Sequence, residues 1–449
     1  MMRGSAFVDA WRANARHLAS EGLYDPAFEH DACGVGFVAA IDGKPRREVV
    51  VAAIDALKAV WHRGAVDADG KTGDGAGIHV EIPQDLFRSH IRRSGRASEA
   101  GRLAVGMVFL PKSDLGAAEA CRSIVEAEIL RFGYAIYGWR QVPIDATVIG
   151  EKANATRPEI EQVMVANGKG VADDIFERDL YVIRRRIEKR VVEAQITGFY
   201  VCSLSCRSII YKGLFLAEQL TAFYPDLSDA RFVSAFAIFH QRYSTNTFPT
   251  WWLAQPFRML AHNGEINTVR GNVNWMKSHE ARIGSDRFGP YVEDIKPIVP
   301  SGASDSAALD AAFELLARAG RSAPLVKTMM IPEAWSKKAS IPEEIKALYS
   351  YCNCVMEPWD GPAAIAATDG RWVLGGMDRN GLRPMRYAIT GDGLVFVGSE
   401  AGMVPLDEQT LVEKGRLGPG EMIAIDLAEG RLWHDRRLKE MLAREQPYA

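Results

Sequence analysis

Cys33 is the residue of this sequence with the strongest potential for chemistry, because it opens the segment CGVGF, in which Gly34 and Gly36 allow other backbone to approach closely. A thiolate is a strong nucleophile, but an ordinary cysteine is mostly protonated at neutral pH and needs a base. When cysteine is the first residue of a chain, its own α-amino group, with a pKa of about 7.7–8.0, can take the thiol proton. Removal of residues 1–32 would therefore create the base, although the local context alone also suits a buried strand cysteine.

Two polar segments elsewhere in the chain could hold a small zwitterion: HQRYSTNT at 240–247 and AHNGEINT at 261–268. Each lies beside an apolar, strand-like run, so its polar side chains are expected at a strand end. Arg242 can bind a carboxylate with its planar fork. Asn263 and Gly264 can place a side-chain amide and a backbone N–H together, as an oxyanion hole requires. By itself, Asn-Gly is also an ordinary turn.

The elements that must position these residues are predicted from periodicity and turn signals. The run 33–41 reads as a buried strand, and 47–62 has the apolar spacing of a helix. The charged stretch 161–189 is predicted to be largely helical, with its three arginines at 184–186 on a solvated face. From 360 to 430, short apolar runs alternate with Asp-Gly turns, which indicates antiparallel strands. Strands at both ends with helices between them predict an α+β protein.

Composition excludes several classes of protein. The 449 residues are 47% apolar and carry a formal charge of -3, so there is no basic face for nucleic acid and no run long enough to span a membrane. The Gly/Asp loop at 67–77 matches neither a dinucleotide loop nor a calcium loop, and no metal site is predicted. Six cysteines suit a reducing cytoplasm, and five of them are predicted to be buried small apolar residues: Cys121, Cys202, Cys206, Cys352 and Cys354.

Several long segments occur in an order that identifies a family. They are CGVGF, WHRGAVDADGKTGDGAGI, HQRYSTNTFPTW, QPFRMLAHNGEINTVRGNVNWM, SDSAALD, EPWDGPAA and DRNGLRPMRY. With them the chain closely resembles, over residues 33–430, the glutaminase domain of glutamate synthase large subunits, which are class II, N-terminal-nucleophile glutamine amidotransferases. The resemblance implies a four-layer αββα sandwich of two antiparallel sheets.

The resemblance also implies roles for single residues. Cys33 matches the cysteine that attacks the glutamine side-chain amide to form a thioester and release ammonia, and Asn263 with Gly264 matches the oxyanion hole. Arg242 matches the arginine that holds the α-carboxylate of glutamine, and Asp305 matches the acid that receives its α-ammonium group. The same resemblance places four further residues in or near the pocket: Tyr243, Ser244, Thr245 and Arg63.

The implied organisation is a leader at 1–32 that is removed on maturation, an amidotransferase domain at 33–432, and at 433–449 the start of a connection to a missing synthase domain. In this family the ammonia reacts with 2-oxoglutarate to give glutamate. That step uses FMN and a 3Fe-4S cluster, with FAD and NADPH acting through a small partner subunit. We predict none of these cofactors within this chain, and the sequence leaves NADPH and ferredoxin open as electron donors.

Two other interpretations stay open at this stage. The segment DRNGLRP also resembles the phosphoribosyl-diphosphate amidotransferases, although the chain lacks a phosphoribosyltransferase domain. The second alternative is an unprocessed, non-catalytic docking module. A mature protein that starts at Cys33 and lacks glutaminase activity would favour the docking module.

Overall fold

The computed structural model describes residues 13–14, 16–22, 33–97, 101–242, 249–336, 338 and 340–448. The strands among them form three antiparallel sheets. In chain order they are β1 (Gly34–Ala40), β2 (Ala76–Glu81), β3 (Ala104–Leu110), β4 (Ala135–Gln141), β5 (Glu159–Ala166), β6 (Tyr200–Ser205), β7 (Ser208–Gly213), β8 (Phe236–Gln241), β9 (Leu260–Gly264), β10 (Ala363–Thr368), β11 (Trp372–Met377), β12 (Arg386–Thr390), β13 (Leu394–Gly398), β14 (Leu411–Arg416), β15 (Met422–Asp426) and β16 (Arg431–His434).

Two of the sheets pack face to face. The seven-stranded sheet has the order β14-β12-β13-β1-β8-β2-β7, and the five-stranded sheet has the order β16-β15-β11-β10-β9. Alternation along β1 points Val35, Phe37 and Ala39 into the space between the sheets, where they share one apolar core with Ala364 and Ala366 of β10. This packing brings the start of β1 close to the end of β9.

Helices cover the outer faces of both sheets. They are α1 (Arg47–Ala59), α2 (Gln84–Arg93), α3 (Leu115–Arg131), α4 (Glu151–Ala155), α5 (Asp173–Glu193), α6 (Leu220–Phe223), α7 (Val269–Glu280), α8 (Asp305–Arg318), α9 (Ala323–Met330), α10 (Glu343–Val355) and α11 (Asp435–Arg444). α1 packs on β1 and β8, whereas α8, α9 and α11 pack on the five-stranded sheet. The predicted αββα sandwich is therefore confirmed. None of the helices in the described ranges is long and apolar enough to cross a membrane.

A third, four-stranded sheet extends the predicted two-sheet sandwich. Its order is β4-β5-β3-β6. It contacts the seven-stranded sheet through β7, and α5 packs against its strand β6. The stretch 161–189 was predicted to be largely helical, and this is wrong for residues 161–166, which lie in β5. β5 lies between β3 and β4 and pairs with both, and that pairing outweighs the helical propensity of the stretch.

The predicted solvated face on α5 is also wrong. Arg184 and Arg185 are buried, with 2% and 8% of their surface exposed. The Arg184 guanidinium donates to Glu188 and to Glu314, each at 2.6 Å, and Arg185 donates to Glu188 at 2.7 Å. Burial is possible because acids neutralise these charges, and Glu314 lies 130 residues away on α8.

The C-terminal residues form part of the packed structure. The boundary predicted at 432 lies inside β16, and α11 follows with Leu438 and Leu442 buried against the core. Lys439 of the same helix donates to Glu333 at 2.6 Å. Four of the five other cysteines are buried as predicted, whereas Cys354 is exposed on α10, and all of them are free thiols.

Candidate active site

Cys33 lies immediately before β1, in the interior of the seven-stranded sheet. β1 pairs with β8 so that Gly34 is opposite Gln241, which makes Arg242 the next residue opposite Cys33. Arg242 has a φ of +86°, and its N–H donates to the carbonyl oxygen of Gly75 at 2.9 Å. The predicted nucleophile and the predicted carboxylate-binding arginine therefore meet at adjacent strand ends.

The close approach of other backbone predicted at the two glycines after Cys33 is confirmed for Gly36, whereas a side chain approaches Gly34. A Cβ added at Gly36 would lie 2.3 Å from the carbonyl oxygen of Val397 in β13. One added at Gly34 would lie 2.4 Å from the Val60 side chain. On the β13 side, the N–H of Val35 donates to the Ser399 hydroxyl at 3.2 Å. The start of β1 is thus fixed by close contact on several sides.

Asn263 connects the two sheets at the nucleophile. Its side-chain Nδ2 donates to the carbonyl oxygen of Cys33 at 2.7 Å, although the two residues are 230 positions apart. The Asn263 side chain is 1% exposed. An amide nitrogen carries two hydrogens, so one N–H remains beyond the bond to Cys33. Asn263 therefore holds the backbone of Cys33 and has a donor for a second oxygen.

Gly264 follows with a φ of +152°, a backbone conformation that favours glycine. Along β9, the backbone N–H groups of odd-numbered residues point towards β10. The same direction continues just beyond the strand, where the N–H of Glu265 donates to the carbonyl oxygen of Pro362 at 2.9 Å. Even-numbered residues therefore point their N–H groups to the opposite edge. There the N–H of Ile266 donates to Asp305 at 2.9 Å, whereas the N–H of Gly264 has no hydrogen-bond partner among the described residues. The predicted oxyanion pair thus has one donor on each of two successive residues.

Asp305 is the first residue of α8 and is buried. The preceding Ser304 caps the helix, because its hydroxyl accepts the N–H of Ala307 at 3.1 Å. One carboxylate oxygen of Asp305 is held by Ile266, as described above. Asp305 also acts electrostatically on the Cys33 thiol. The predicted ammonium-binding acid therefore belongs to the same site.

Removal from water raises the pKa of the Cys33 thiol to about 12. The cations Arg242 and Arg383 lower this pKa, whereas the acids Asp74 and Asp305 raise it. The Nε atom of Arg242 lies 3.9 Å from an oxygen of Asp74. Among the described residues, two cations and two acids thus act most strongly on the thiol, which suits a zwitterionic ligand.

Sequence reasoning missed two of these charged residues. Asp74 was assigned to a structural Gly/Asp loop, but it pairs with Arg242 at the site. Arg383 belongs to the segment DRNGLRP, which the sequence analysis used only as one of the segments that carry the family resemblance. The Asp378 side chain fixes that turn by accepting the N–H groups of Ala363 and Asn380 at 3.0 and 2.8 Å.

Four further predicted pocket residues are not confirmed. The Nε of Arg63 donates to Glu400 at 2.5 Å, and neighbouring His62 lies 3.2 Å from the same carboxylate. A contact between Arg63 and substrate stays a prediction. Tyr243, Ser244 and Thr245 lie outside the described residues.

Within the described ranges, no group of three or more His, Cys, Asp and Glu side chains is placed to hold a metal ion. The iron–sulfur cluster that the resemblance implies for the family therefore has no ligand set in this part of the chain.

Comparisons with known proteins identify the family of the chain. The family model of class II glutamine amidotransferases matches residues 33–449. The chain is 66% identical to the NADPH glutamate synthase large chain of Azospirillum brasilense over 99% of its own length and 29% of the relative. It is 43% identical to the corresponding protein of Bacillus subtilis, over 96% of the chain and 28% of the relative. For ferredoxin-dependent glutamate synthase 2 of Synechocystis the identity is 44%, over 94% and 27%. The chain thus spans less than a third of the relatives it matches.

Proposed function

The chain belongs to the class II glutamine amidotransferases, and from this premise we propose that it hydrolyses L-glutamine to glutamate and ammonia through a thioester on Cys33. The observation that carries the proposal is the 2.7 Å hydrogen bond from Asn263 to the Cys33 carbonyl, with the N–H of Gly264 beside it. This arrangement supplies two donors next to a nucleophile, which is the geometry of acyl transfer.

Substrate binding uses the charged groups around the thiol. Arg242 receives the α-carboxylate of glutamine through its planar fork, and Asp305 receives the α-ammonium group. Asp74 lies 3.9 Å from Arg242 and orients its guanidinium. These contacts direct the side-chain amide of glutamine towards the sulfur of Cys33.

Removal of residues 1–32 first gives Cys33 a free α-amino group. That amine takes the thiol proton, and the sulfur attacks the amide carbon to give a tetrahedral oxyanion. Asn263 and Gly264 donate to the oxyanion. The amine returns the proton to the leaving nitrogen as the C–N bond breaks, which releases ammonia and leaves the thioester. Water then attacks the thioester carbon, so that glutamate leaves and the thiol is restored. In support, the family match begins at Cys33 itself.

In the longer protein, the ammonia is passed to 2-oxoglutarate to form glutamate. This part of the proposal is supported by the names of the relatives, two of which are NADPH glutamate synthase large chains. FMN and the 3Fe-4S cluster would lie in the remainder of the large subunit, and FAD and NADPH in a small partner subunit. We also propose that the protein acts in the cytoplasm.

The test compares the protein before and after processing. Intact mass establishes whether the chain begins at Cys33, and release of ammonia and glutamate from L-glutamine is then measured for both forms. Only the processed form is expected to be active. Activity in a chain that still carries residues 1–32 would overturn the role of the α-amino group, and a processed form without activity would overturn the glutaminase function.

A further inference from the structure

β9 carries the proposed oxyanion donors, yet it is an edge strand of the five-stranded sheet, paired with β10 on one side. An edge strand leaves alternate N–H and C=O groups without a ladder partner. At both ends of β9, carboxylates of α8 accept the outward-pointing backbone N–H groups. Asp310 accepts the N–H of Leu260 at 3.1 Å, and Asp305 accepts that of Ile266 at 2.9 Å. What holds the middle of the strand therefore decides where Asn263 and Gly264 point.

Gln255 holds that middle position. Its side-chain Oε1 accepts the N–H of His262 at 2.8 Å, and its Nε2 donates to the carbonyl oxygen of His262 at 3.3 Å. The Gln255 residue is 1% exposed. One side-chain amide thus binds both backbone groups of one residue, as a neighbouring strand would. His262 immediately precedes Asn263, so these bonds fix the chain directly before the two donors.

Gln255 also connects β9 to the sheet that carries the nucleophile. A Cβ added at Gly77 in β2 would lie 2.7 Å from the carbonyl oxygen of Gln255, so the backbone of Gln255 rests on the seven-stranded sheet. Its side chain holds the five-stranded sheet at His262. The residue therefore relates the position of the donors to that of Cys33.

We propose that Gln255 is a positioning residue of the oxyanion hole, because its amide takes the place of a neighbouring strand at His262 and fixes the direction of the donors at Asn263 and Gly264. The inference rests on the proposed glutaminase function. An amide suits this position because it offers a donor and an acceptor together. A carboxylate offers only acceptors, and an apolar side chain offers neither.

Gln255→Leu in processed protein tests the proposal. We expect kcat to fall about 10- to 100-fold, since misplaced donors lose transition-state contacts, while KM for glutamine stays within about twofold. Gln162→Leu is the matched control: Gln162 lies in the third sheet and is equally buried, but its amide donates to the Tyr211 hydroxyl of β7 at 3.0 Å and accepts from Arg140 at 2.6 Å. Thermal melting of both variants establishes that they are folded. A wild-type kcat in Gln255→Leu, or an equal loss in Gln162→Leu, would overturn the role of Gln255.

Two further measurements separate positioning from a general loss of structure. In a Cys354→Ser background, which removes the exposed thiol on α10, alkylation of Cys33 by iodoacetamide should proceed at the same rate with and without Gln255→Leu. A parallel loss of alkylation would place the defect at the nucleophile and contradict the proposal.

Gln255→Glu supplies the second measurement. A protonated carboxyl presents a donor and an acceptor, so the ratio of variant to wild-type kcat should rise as the pH falls. A ratio that does not change with pH would count against the amide's double role. If the wild type itself shows no glutaminase activity, the proposed function fails; if the wild type is active and Gln255→Leu equals it, only this inference fails.

Discussion

Gly264→Ala is expected to remove the backbone donor of the oxyanion hole. The new Cβ would lie 1.8 Å from the carbonyl oxygen of Pro362 and 2.9 Å from Nε2 of His262. The Pro362 oxygen also accepts the N–H of Glu265 at 2.9 Å, so it cannot retreat without breaking that bond. The backbone at 264, whose φ is +152°, must therefore rotate and turn its N–H away. Loss of one oxyanion donor lowers kcat about 10²- to 10³-fold, or about 2.7–4 kcal/mol. Backbone strain of about 1–3 kcal/mol lowers the free energy of unfolding as well.

Steady-state glutaminase kinetics of processed protein measure the first effect, and urea denaturation measures the second. KM for glutamine should change little, because the donors act on charge that develops in the transition state. Gly271→Ala is the control: Gly271 lies in α7, and a Cβ added there would meet no other atom within 4 Å. This control should keep its kcat and gain up to about 1 kcal/mol of stability. A folded Gly264→Ala protein with wild-type kcat would refute the assignment of Gly264 as a donor.

Cys33→Ser should lose glutaminase activity, because a hydroxyl is a far weaker nucleophile at neutral pH, whereas Cys354→Ser should keep it; equal activity in both would contradict the thioester. Arg242→Lys should raise KM for glutamine about tenfold or more, since a point charge cannot reproduce the planar fork. Arg371→Lys is the control: the Arg371 guanidinium donates to both carboxylate oxygens of Asp426, at 2.6 and 3.1 Å, and this variant should leave KM for glutamine unchanged. Burial lowers the pKa of Lys327 to about 7 in the folded chain, from 10.5. Between these values the unfolded chain binds more protons, so the free energy of unfolding should rise by about 2 kcal/mol from pH 7 to 9. Urea denaturation of Lys327→Met at both pH values should show no such rise, and an equal rise would contradict the titration of Lys327.

Local patterns were sufficient to predict the elements that position Cys33. The apolar run after Cys33 predicted β1, and the turn signals from 360 to 430 predicted the antiparallel strands β10 to β15. Such elements follow from alternation and turn residues, which lie within a few positions of one another. Arg242 and Asn263 were candidates from their residue types, and the family resemblance added Asp305. The structure brings all three to the same site.

The remaining features depend on contacts between distant parts of the chain. The charges on α5 looked solvated because Glu314, which neutralises Arg184, lies 130 residues away. Asp74 looked structural because its partner Arg242 lies on another strand end. Nothing in the spacing of Gln255 and His262 reveals that one side chain replaces a missing strand, because the need for it arises only when β9 becomes the edge of a sheet.

Under the proposed function, the charges around Cys33 explain why cleavage before Cys33, and not the pocket, supplies the base for the thiol. Arg242 and Arg383 lower its pKa and Asp74 and Asp305 raise it, so the loss of water dominates and the pKa is about 12. At neutral pH such a thiol is almost entirely protonated. Cleavage before Cys33 converts its amide nitrogen into an amine, and the neutral form of that amine is a base next to the sulfur. Under the proposed function, the folded precursor therefore holds the binding groups and the oxyanion donors, and cleavage before Cys33 supplies the base.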